Sequence, residues 1–124
     1  MTLNEAISNF KTLRPNQYSD EQLVRWLSDL DQQIYLEVMR WHKDAPEEMP
    51  ARYSVEDLDQ ELLVPDQYSN IYTYYLCAQM DFAYAEIVRY NNDMIMFNTA
   101  LSTFADWYNR QNMPKQDNYI IGAK

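Results

Sequence analysis

The chain has 124 residues, a formal net charge of −9, and a single cysteine, glycine and histidine. That length suits one domain able to bury a core without covalent staples, and the acidic balance opposes nonspecific attraction to nucleic acid or to anionic membrane. One Cys excludes an internal disulfide, one His excludes histidine-based triads and metal pairs, and one Gly removes phosphate-cradling and dinucleotide loops.

Aromatic residues make up 15% of the chain and include 11 tyrosines, an amphipathic residue that favours interfaces. No run approaches a membrane-spanning length. The start, MTLNEAISNF, lacks a basic-then-apolar leader pattern, so a reducing cytosol is the expected place of synthesis.

Thr2 and Glu5 form a capping-box pattern ahead of Ala6, Ile7, Phe10 and Leu13 at helical spacing, which predicts a first helix over 3–13. Ser19 is the N-cap of a second helix over 20–42, with Asp20 and Glu21 suiting the positive end of its dipole. Its stripe is Leu23, Leu27, Leu30, Ile34, Val38 and Trp41, widened by Trp26, Tyr35 and Met39.

Residues 44–64 carry seven acids against one base, Arg52, and Pro46 and Pro50 break any helix there. A long acidic connection follows, with a short extended piece at 61–64. Connections of this length are uncommon in compact domains and are often functional.

The stretch between Pro65 and Pro114 organises the rest. Apolar residues recur at Tyr68, Tyr72, Tyr75, Leu76, Met80, Ala83, Ile87 and Tyr90, then at Met94, Phe97, Leu101, Phe104 and Tyr108. Off that stripe lie Ile71, Tyr74, Ala78, Phe82, Tyr84, Val88, Met96, Ala100 and Trp107, so the element needs cover on nearly all sides. As one rod it would be about 72 Å long, against a domain diameter of roughly 35 Å. Asn91-Asn92-Asp93 is the expected break, giving helices over 65–90 and 92–110, with a single kinked helix as the competing reading. The expected fold is therefore all-α: a small bundle of about four helices over 1–112, with a long acidic connection and an extended tail over 113–124.

No catalytic constellation emerges. His42, near the end of the second helix, reads as structural, and Cys77 as a buried inert thiol. The run Glu56, Asp57, Asp59 and Glu61 could hold a hard cation but lacks an EF-hand's glycine and spacing, so it reads as a solvated loop. Asp81 is a charge inside an apolar helix and requires an ion-pair partner, for which Arg25 and Arg89 are the candidates. The expectation is a protein that is not an enzyme and uses no cofactor or metal.

Three stretches carry a resemblance: LRPNQYSDEQLVRWLSDLDQQIY (13–35), ELLVPDQYSNIYTYYLCAQMDFAYAEIVRYNNDMIMFN (61–98) and FADWYNRQNMPK (104–115). They are similar to head–tail connector (adaptor) proteins of tailed phages and prophages of Gram-positive bacteria. The resemblance covers most of the chain and rests on family signatures, not catalytic motifs. It implies an all-α subunit of a homo-oligomeric ring, commonly twelvefold, in the neck of the virion and assembled in the bacterial cytoplasm. The ring would sit beneath the portal protein, extend the DNA channel without specific DNA binding, and dock a tail-side connector or tail terminator; no membrane is involved. Met113, Lys115, Tyr119, Ile120 and Ile121 become the portal-contact candidates. Tyr53, Tyr74, Tyr84, Met96 and Trp107 become candidates for contacts between ring neighbours. The alternative from a different class is an acidic helical protein that mimics DNA and blocks a host factor.

Overall fold

A computed structural model describes residues 1–43 and 45–112. Among the described residues the protein is an all-α bundle of four helices: α1 (Leu3–Leu13), α2 (Asp20–Ile34), α3 (Asn70–Ala83) and α4 (Ile87–Gln111). No helix among the described residues is long and apolar enough to cross a membrane.

The first two helices begin where local chemistry places them. The Thr2 hydroxyl accepts from the Glu5 N–H while the Glu5 carboxylate accepts from the Thr2 N–H, closing the predicted capping box. Ser19 accepts from the Gln22 N–H at the start of α2. The predicted 20–42 helix, however, is regular only to Ile34. A π turn, Tyr35–Met39, completes it, with the Arg40 N–H reaching back to the Tyr35 carbonyl at 2.9 Å. The wider turn brings Val38 and Met39 into the core and leaves Trp41, expected on the buried stripe, half exposed. The Arg40 guanidinium lies 4.3 Å from the Trp41 ring centroid instead.

The long acidic connection is irregular but tied down. The Leu3 N–H donates to the Gln60 carbonyl and the Asn4 N–H to the Leu58 carbonyl, so the loop satisfies backbone donors at the start of α1 that have no partner within the helix. Among the described residues, the pairing at the expected extended piece is a single bridge between Thr2 and Glu61. Leu62 and Val64 at its end are buried.

The break in the organising stretch is not at Asn91-Asn92-Asp93. Helix α3 ends at Ala83 and α4 starts at Ile87, so the three polar residues lie inside α4. The chain turns at Ala85, the one non-glycine residue with positive φ (58°) among those described. Around it the Glu86 N–H donates to the Asp81 carbonyl (2.9 Å) and the Ala85 N–H to the Phe82 carbonyl (3.1 Å). Those two bonds make the turn a Schellman motif, with alanine where glycine is usual. The Asn-Asn-Asp signal loses because the helix continues past it on tertiary contacts: Met94, Phe97, Leu101, Phe104 and Tyr108 belong to or pack against the core.

Helix α3 is the centre of the bundle, packed against α1, α2 and α4. Ile71 and Ala78, off its main apolar stripe, are fully buried within the protomer. The all-round apolar character of α3 is therefore met internally except at its last turn, where Phe82 is exposed. Surplus apolar surface gathers there, at the α3–α4 turn.

Candidate functional site

That turn presents a crown of apolar side chains. Phe82 is 63% exposed, Tyr84 56%, Ile87 58% and Val88 76%. The sequence explains it: the helical register that would bury Ala83 and Ile87 is cut at Ala83, and these residues fall on a projecting corner. Ile95, two turns after Val88 on the outer face of α4, is also exposed. At such exposures the four crown residues leave on the order of 400–500 Å² of largely apolar surface, the size of the largest patch on a typical monomer, which is often functional.

The crown is firm. The Tyr84 ring stacks on Tyr18 (5.9 Å between centroids), which meets Trp26 edge-on at 5.0 Å, and Phe82 lies 5.3 Å from Tyr90. Beneath it, the guanidinium of Arg14 grips the fully buried Asp81 with two bonds, 2.8 and 3.1 Å. Arg14 holds the Asp81 carboxyl below the usual carboxylate range. The expected partners were Arg25 and Arg89. Arg25 is exposed on α2, and Arg89 sits 3.8 Å from Glu86, adding only a longer-range attraction to Asp81. Arg14 takes the role because the connection between α1 and α2 passes over the last turn of α3.

Asp93 completes this cluster. It lies on the side of α4 that carries Tyr90 and Phe97, against Asp81, and its Oδ2 is buried without a hydrogen-bond partner. Burial first, and then the Asp81 carboxylate, push its carboxyl up to about 7. Cys77 is buried beside the same groups, its thiol pushed up by burial.

The ring-contact candidates fall into distinct environments. Tyr84 belongs to the crown. Tyr74 and Met96 line one shallow groove between α3 and α4 together with Tyr68 and Ala100. Trp107 is half-buried against Tyr68 (5.3 Å) and Phe104. Tyr53 donates its hydroxyl to Asp31 at 2.6 Å, inside the subunit. The portal-contact candidates Met113, Lys115, Tyr119, Ile120 and Ile121 lie outside the described residues. His42 is buried, its ring edge-on to Tyr108 at 4.8 Å, as a structural role requires. Glu56, Asp57, Asp59 and Glu61 are all exposed, a solvated loop.

Sequence reasoning missed three residues: Arg14, Asp93 and Asp31. Asp31 is fully buried on α2 and accepts from Tyr53, Tyr72 and the Leu63 N–H. Its signal was present, since it sits four residues after Leu27 and three before Ile34 on the apolar stripe.

No family model matches the chain, and no curated protein or solved structure does either.

Proposed function

We propose that the chain is a structural subunit of the head–tail connector class that its sequence resembles, one copy in a ring beneath a phage portal. The observation that carries the reading is the exposed crown Phe82, Tyr84, Ile87 and Val88 on an otherwise acidic helical body. An apolar patch of this size is often a contact site, and a subunit with lateral neighbours has a surface to cover it. A stable interface buries about 800 Å² per partner, so the crown would be the apolar centre of a contact whose rim is polar. The net charge of −9 fits a channel body along which DNA slides without adhering. The test is cryo-EM of the full chain mixed with the portal protein of the same particle. A ring of copies stacked on the portal is expected; a portal left bare at saturating concentration overturns the reading.

A further inference from the structure

The carboxyl pair under the crown has a role that does not depend on what the crown binds. Asp81 stands in the last full turn of α3 and Asp93 in the second turn of α4, bracketing the whole projecting corner. Both Asp81 oxygens already accept from Arg14, and Asp93 Oδ2 is shut away from water with no donor to meet it.

The charged and titratable groups facing the pair are few. Arg14 comes from the connection between α1 and α2, Cys77 from α3, and Arg89 from α4. Cys77 is kept as a neutral thiol by burial, and Arg89 is largely exposed and engaged with Glu86. One closely held cation therefore faces two carboxyl groups. Two ionised carboxylates in contact repel, and the arrangement relaxes when one of them keeps a proton. A proton on Asp93 turns its orphaned oxygen into a donor to Asp81.

We propose that Asp93 holds a proton shared with Asp81, and that this O–H···O bond is a latch closing the α3–α4 corner and fixing the crown. Loss of the proton replaces the bond by repulsion between α3 and α4, leaving the Schellman bonds of Ala85 and Glu86 as the local tie. With the Asp93 carboxyl pushed up to about 7, the latch opens across neutral pH. The crown is then firm in mildly acidic solution and loosened in mildly basic solution.

The full chain, free of partners, tests this by NMR. Carboxyl carbons are titrated from pH 4 to 9, with Asp93 assigned as the resonance lost in Asp93→Asn. A midpoint within about one unit of 7 is expected; a lower one overturns the proposal. Amide exchange at Tyr84, Ala85 and Glu86, corrected for the intrinsic effect of pH, should lose about tenfold of its protection between pH 6 and 8. In Asp93→Asn it should stay level, because the side-chain amide donates to Asp81 at any pH. An equal fall in both proteins overturns the latch. Should the variant fail to fold, the wild-type carboxyl titration, assigned through backbone connectivity, decides alone.

Discussion

Tyr72 and Asp31, 41 positions apart, are joined by a 2.7 Å hydrogen bond at the centre of the bundle. The same tyrosine hydroxyl accepts from the Val64 N–H at 2.9 Å. Asp31 also accepts from the Tyr53 hydroxyl at 2.6 Å and the Leu63 N–H at 3.0 Å. One buried carboxylate thus fastens the middle and the C-terminal end of the acidic connection to α2 and, through Tyr72, to α3. Burial raises the pKa values of Asp31 and of both tyrosines, so the tyrosine hydroxyls remain protonated donors. The connection has little regular structure, yet it is held by side chains of the helices it links.

Removing the relay hydroxyl exposes its weight. Tyr72→Phe keeps the ring but strands the Val64 N–H and takes one donor from Asp31, both buried. A loss of about 2–3 kcal/mol is expected in chemical denaturation, with the helical circular dichroism retained. A change below about 0.5 kcal/mol would mean that the relay carries no stability.

The Arg14–Asp81 fork makes a sharper claim. Arg14→Met leaves a fully buried carboxylate without its cation, and about 3–5 kcal/mol should be lost. Asp81→Asn in the same background should recover part of it, because the stranded charge disappears. Urea unfolding of the two single variants and the double variant measures the coupling. Additive losses would show that the pair is not a unit.

Ala85 allows a test in the opposite direction. An alanine held at φ 58° is strained relative to glycine, which populates that region freely. Ala85→Gly should stabilise the protein by about 0.5–1 kcal/mol, readable as a rise in thermal midpoint. A fall would mean that the alanine methyl is supporting the crown.

The positions that were legible in the sequence share one property: their structure is decided within a few residues. Thr2 with Glu5, and Ser19 with Gln22, are caps made of near neighbours, so the starts of α1 and α2 were readable. The α3–α4 corner was not. Its signal is a positive φ at alanine, invisible in a residue type that normally avoids it, while the visible signal at Asn91-Asn92-Asp93 was overruled by packing. Ion-pair choice failed for a similar reason. Arg14 reaches Asp81 across 67 positions, whereas the arginines that the helical pattern offers are Arg25 and Arg89. Asp93 belongs to the expected break, yet it lies within α4, half-buried, with one carboxyl oxygen shut away from water.

The pH dependence of stability follows from Asp93 with a definite sign. Its folded pKa lies above the unfolded value, so the native state keeps a proton that the unfolded chain loses. Stability should therefore decline as pH rises from about 4 to about 7 and level off beyond. Asp31, also pushed up by burial, adds to the same slope, so Asp93→Asn should reduce the decline without abolishing it. At pH 8 the variant should exceed wild type by about 1–2 kcal/mol, with the difference shrinking towards pH 5. A variant less stable at pH 8 than wild type would show that the Asp93 carboxylate is welcome where it sits.

The crown can be tested against the assembly reading without disturbing the fold. Phe82, Ile87 and Val88 are mostly exposed, so replacing Ile87 and Val88 together by serine removes little packed surface. Folding stability should change by less than about 0.5 kcal/mol per site, as for other exposed positions. An apolar contact at the centre of an interface is worth more, with a few residues each contributing about 2 kcal/mol or more. The double variant should therefore fold as wild type does while losing the lateral contacts that fill the ring, and with them most of its recruitment to the portal, read by sedimentation of the mixture. Wild-type recruitment by the variant would move the contact away from the crown and towards the groove lined by Tyr74 and Met96. That outcome would leave the connector reading standing and its proposed contact surface refuted, because recruitment itself would have been observed.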